Sequence, residues 1–93
     1  MKEDNFRKLN NNEKIILKKI KERNQFELNH ININDIFITY HIKNNFTQCL
    51  LYDEKNDELN IGCTKRHPND LPNENIGKII ALRRTFGNFR QNF

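Results

Sequence analysis

Tryptophan is absent from this chain, methionine occurs once, proline and cysteine twice each, and glycine three times. Three scattered glycines do not make a glycine-rich phosphate loop. Cys49 and Cys63 stand fourteen residues apart, which gives neither a CxxC pair nor a disulfide framework. With His41 and His67 they are candidate soft ligands. Structural zinc uses short paired spacings that these residues do not have, so no metal site is expected. No apolar run approaches the roughly eighteen residues of a membrane span. The stretch MKEDNFRKLNNN lacks the apolar core of a signal peptide. The expected setting is therefore cytoplasmic and reducing, with no membrane partner. His67 and Asp70 could imitate a base and its orienting acid. No Ser or Thr nucleophile pattern and no paired carboxylates accompany them, so neither an enzyme nor a cofactor is expected.

What is present fits one small domain. Hydrophobic residues make up 35% and charged residues 30% of 93, polar for a globular chain but outside the disordered range. Seven Phe and twelve Ile supply the core. Seventeen Asn, beside many Lys and Ile, suggest an AT-rich coding sequence and say nothing of mechanism. The net charge of +4 is unevenly spread. Residues 1–30 carry +3, residues 31–60 carry −3 and residues 61–93 carry +4, so two basic flanks enclose an acidic centre. A basic balance of this size permits a nucleic-acid partner without requiring one.

The periodicities give an element order. Residues 1–10 are polar and are expected to be flexible; residues 11–93 form the domain. Asn10 with Glu13 three later reads as a helix cap, opening a helix from Asn11 to about Gln25. Ile16, Leu17 and Ile20 fall on one side of it and Lys14, Lys18 and Lys21 largely on the other. In ININDIFITYHI, Ile36, Ile38, Tyr40 and Ile42 alternate with Phe37, Thr39 and His41, a strand pattern. Lys43-Asn44-Asn45 is a turn. Phe46 to Tyr52 and a run through Leu59, Ile61 and Cys63 make two more strands. The loop KRHPNDLP then leads to a final helix, with Asn73 as cap and Glu74 favourable in the first turn. Ile76, Ile79, Ile80, Leu82, Phe86 and Phe89 cover most of its circumference, and Ile80 is expected to face the sheet. Gly87 ends or bends this helix and leaves Phe89 and Phe93 as a packing tail.

The order helix, three antiparallel strands, helix resembles the double-stranded-RNA-binding-domain fold. The fold class expected is α+β, with both helices on one face of a three-stranded sheet. Residues 61–86, IGCTKRHPNDLPNENIGKIIALRRTF, are similar to a pattern in small phage and actinobacterial proteins of unknown function that share that shape. Gly62, His67, Pro68, Asp70, Ile76, Gly77, Lys78, Ala81, Leu82 and Arg84 stand at the matching places. The resemblance implies a phage or mobile-element protein. It also implies that the first-helix face, the first hairpin turn and the start of the last helix lie on one side.

On that side the cations would be Lys14, Lys18, Lys21, Lys43, Lys65, Arg66, His67 and Lys78. Such a set could neutralise several phosphates of a duplex with low sequence specificity, or dock a host nucleoprotein. The alternative is an anti-defence, anti-CRISPR-like inhibitor that binds a host protein such as a nuclease without touching nucleic acid. A separate protein interface is expected on the open sheet face at Phe37, Thr39 and His41, with Cys49 and Leu51 as further candidates; a homodimer would form there.

Overall fold

The computed structural model describes residues 5–66 and 74–89. They fold as α+β, with two principal helices and a four-stranded antiparallel sheet. In chain order the elements are β1 (Arg7–Lys8), α1 (Asn11–Arg23), the single-turn α2 (Gln25–Leu28), a 3₁₀ turn (Ile33–Asp35), β2 (Ile36–Lys43), β3 (Phe46–Asp53), β4 (Glu58–Lys65) and α3 (Glu74–Gly87). The strands lie side by side in the order β1-β2-β3-β4. The expected helix cap Asn73, the tail residue Phe93 and the loop residues His67, Pro68, Asp70 and Pro72 lie outside the described residues.

The fourth strand corrects the expectation of three. Arg7 pairs with Ile38 and Lys8 with Phe37, so part of the segment expected to be flexible is docked on the sheet edge. Leu9 is buried behind it. Two residues are too few to display a strand's alternation, and charge hides these two.

Asn10 and Glu13 hold the start of α1. The Glu13 N–H donates to Asn10 Oδ1 and the Asn10 N–H to Glu13 Oε1, both at 2.8 Å. This reciprocal box satisfies two donors the helix start leaves over. At the other end the Asn24 side chain donates to the Ile20 carbonyl. Leu17 is fully buried, and Ile16 and Ile20 pack against the core.

Strand alternation assigns the two sheet faces. Ile36, Ile38, Cys49 and Leu51 are buried on the helix side, and Gly62 of β4 meets Thr85 of α3 there. A Cβ at Gly62 would lie 2.5 Å from the Thr85 backbone nitrogen and 2.9 Å from its Cα. The helix backbone rests on the strand, and only glycine leaves room. The Thr85 hydroxyl is shared between the Ala81 carbonyl, at 2.7 Å, and the Cys49 carbonyl of β3, at 3.1 Å. Ala81, Leu82 and Phe86 complete the buried stripe of α3, and Phe89 packs edge-to-face on Phe86 with ring centres 6.0 Å apart. Ile76 and Ile79 are exposed and Ile80 only half-buried, so the stripe is narrower than the sequence pattern implies. Leu82 is buried where Ile80 is only half-buried.

Candidate nucleic-acid interface

A two-residue turn, Asn44–Asn45, joins β2 to β3 and fixes their register. Asn44 has φ of 54°, a conformation that asparagine tolerates better than most side chains. Lys43 therefore stands opposite Phe46, and β4 brings Lys65 to the other side of Phe46. These three form one cross-strand row on the face turned away from the helices. Phe46 is 41% exposed, and both lysines are exposed. Beside the row the Arg66 N–H donates to the Asn45 carbonyl at 2.7 Å, and its guanidinium also binds Asn45 Oδ1. The basic strand end is thus tied to the turn. The next row inward is His41, Gln48 and Cys63, followed by Thr39, Leu50 and Ile61.

The opposite end of the sheet is acidic. Asp35, Asp53, Glu54, Asp57 and Glu58 gather at the start of β2 and around the β3–β4 turn, with Lys55 among them. Asp53 is fully buried there and accepts from the Lys55 and Asn56 backbone N–H groups and the Asn56 side chain. Asp57, at φ 49°, accepts from the Tyr52 hydroxyl at 2.7 Å. Phe6 stands edge-to-face on Tyr52 with ring centres 6.4 Å apart, so the N-terminal segment covers part of this end of the outer face.

The expected basic residues fall into separate groups. Lys43, Lys65 and Arg66 come together at the turn end. Lys78 lies on the helix side, with Nζ 5.4 Å from the centre of the Tyr40 ring. Lys14 is half-buried on α1. Lys18 and Lys21 line a groove of about 500 Å³ with Glu22, Asn29, Asn32, Ile33 and Asn34, and the Lys21 ammonium donates to the Ile31 carbonyl at 2.5 Å. That groove adjoins the beginning of β2, whereas Lys43 ends the strand; eight residues of extended chain put the two roughly 23 Å apart. His67 lies outside the described residues.

Of the expected protein interface, Phe37 is half-buried, Thr39 is 8% exposed and His41 is exposed. All three turn away from the helices, but β1 runs beside them and Thr39 is enclosed. Cys49 and Leu51 are corrected outright: both are buried on the helix side, because Cys49 pairs with Tyr40 and Leu51 with Ile38. Cys63 is exposed on the other face. Burial pushes the Cys49 thiol up to about 12, which leaves it an uncharged core residue.

Two features escaped the sequence reading. The exposed Phe46 between two lysines was legible in principle, since a two-residue turn fixes the pair Lys43–Phe46. The second is a polar knot on the helix side. Arg7 donates to both Glu13 carboxylate oxygens, at 2.8 and 2.9 Å, and the Tyr40 hydroxyl donates to Oε2 at 3.2 Å. Burial raises the Glu13 pKa, but Arg7, the Asn10 N–H and Tyr40 outweigh it and hold the carboxyl below its ordinary value. Burial, with help from Glu13, pushes the Tyr40 phenol up. These groups satisfy one another and lie apart from the basic row. Among the described residues no cluster of three or more metal-ligating side chains forms, and no helix is long and apolar enough to cross a membrane.

Comparison with protein-family models, with curated proteins and with solved structures finds no match.

Proposed function

We propose that this chain is a non-enzymatic binding module that takes nucleic acid, with low sequence specificity, on the basic end of its sheet. The carrying observation is the cross-strand row Lys43, Phe46 and Lys65, backed by Arg66, with the strand-end acids at the opposite end. Cations concentrated at one end orient the molecule toward a polyanion and supply sequence-independent phosphate contacts. Lys78 extends the positive charge to the helix side. The wider arrangement is best read as a double-stranded-RNA-binding-domain-like fold with a short strand added at its edge. The resemblance of residues 61–86 to small phage and actinobacterial proteins supports an accessory role in a phage or other mobile element, acting in the host cytoplasm.

Fluorescence anisotropy with labelled single strands and duplexes, across a series of salt concentrations, tests this. Affinities of roughly 10⁻⁴–10⁻⁶ M are expected, the range of non-specific contacts. The logarithm of the binding constant should fall linearly with the logarithm of salt concentration. Lys43→Ala with Lys65→Ala should flatten that slope by roughly 1.4–1.8 if each lysine meets one phosphate. Absence of binding at tens of micromolar protein would end this reading. The basic row would then serve the second one, an inhibitor docking on an acidic surface of a host protein such as a defence nuclease. A pull-down from host lysate that survives nuclease treatment would favour that reading.

A further inference from the structure

We infer that the outer face of the sheet selects unpaired nucleotides, with Phe46 as the platform on which a base stacks and Lys43 and Lys65 as the flanking phosphate contacts. This deepens the nucleic-acid reading and rests on it. Phe46 sits at the first position of β3, on the face away from both helices, and 41% of it is exposed. Its two cross-strand neighbours are the lysines, one on each side. Neighbouring strands lie about 4.8 Å apart, so the lysine backbones flank the ring at roughly that distance on either side. Their flexible stems carry the charge outward along the path of a strand crossing the sheet. Ile61, 47% exposed, and the half-buried Leu50 continue the apolar surface two rows inward.

Unpaired bases present π-faces to an aromatic ring, and stacking of this kind tolerates any sequence. A duplex has its bases already stacked on one another and offers Phe46 nothing beyond its phosphates. A second copy of the chain is the competing occupant. It is disfavoured because Phe6 stands on Tyr52 at the acidic end and interrupts the flat surface a second sheet would need. It would also have to enclose the two lysines beside Phe46.

Phe46→Trp supplies the chain's sole tryptophan and a direct reporter. Titration of this variant with oligo(dT) should quench its fluorescence saturably, while an A·T duplex at the same nucleotide concentration should not. Phe46→Ala should weaken oligo(dT) binding about ten- to a hundredfold, far more than it weakens duplex binding. Circular dichroism of both variants checks that the fold persists; the quenching readout stands even if Phe46→Ala does not fold. Duplex and single strand bound equally, with Phe46→Ala without effect, would overturn this inference and leave the polyanion reading standing. Binding of neither would overturn both. Sedimentation as a dimer that Phe46→Ala dissociates and oligo(dT) does not compete for would overturn it in favour of a second copy.

Discussion

At the scale of single residues, the three glycines differ sharply in what surrounds them. At Gly62 the backbone of α3 occupies the space a Cβ would need, and backbone cannot swing aside as a flexible side chain can. Gly62→Ala must therefore push α3 off β4 or twist the strand, at a cost of about 2–3 kcal/mol by analogy with overpacked cores. At Gly87 nothing lies within 4 Å of the added carbon. Gly87→Ala should be neutral or stabilising, by no more than about 1 kcal/mol, the helix-propensity difference. Thermal melts of the two variants make a matched pair. Gly62→Ala should lower the midpoint by several degrees or more, since about 1 kcal/mol moves a domain of this size by roughly 4–8 °C. Gly87→Ala should leave it unchanged or raise it. Equal midpoints would show that helix and strand are not in the close contact described.

Among the elements, Glu13 joins three: it caps α1, ties down Arg7 of β1 and receives the Tyr40 hydroxyl from β2. Its carboxyl is held below the ordinary value of 4.5 in the folded chain. A depressed folded pKa means that the stabilisation is fully present above the unfolded value. It is lost as pH falls below 4.5 and through the folded pKa. Chemical denaturation at pH 7 and at pH 3 should thus show a loss of stability that is smaller in Glu13→Gln. At pH 7 the substitution should cost about 1–2 kcal/mol, because half of Arg7 is solvated and the amide still accepts hydrogen bonds. If Glu13→Gln has the same acid sensitivity as the original chain, the knot does not contribute to acid unfolding. The capping half of it was legible in the sequence, because Asn10 and Glu13 stand three apart. The Tyr40 half was not, because a partner 27 residues away has no local signature. The same limit explains β1, where two charged residues pair only because β2 offers an edge. It also explains the exposed Ile76 and Ile79, since apolar periodicity marks a stripe without saying how much of it a neighbour covers. That Cys49 and Leu51, candidates for the open face, lie on the helix side is not legible in the sequence because their strand lacks clean alternation. Apolar Leu50 lies between them and faces outward.

At the scale of the whole molecule, the sheet carries Lys43, Lys65 and Arg66 at one end of its strand axis and the acids around the β3–β4 turn at the other, with Lys18 and Lys21 in a groove beside the acidic end. The acidic centre of the sequence foreshadows this, since residues 31–60 contain the strand starts and turn that form the acidic end. The basic flanks were expected to meet on one side, yet the fold divides them. Lys18 and Lys21 belong to a groove near Asn32 and Asn34, and among the described residues only the turn-end cations share a row with an exposed aromatic ring. Binding therefore centres on the outer sheet face at the turn. The most direct measurement is a titration of the ¹⁵N-labelled chain, 11.2 kDa, with oligo(dT), followed by amide chemical shifts. The largest changes should fall on residues 41–48 and 61–66, with residues 18–34 and the β3–β4 turn quiet. Shifts concentrated at the Lys18–Asn34 groove or on α1, or no shifts at all, would contradict the account.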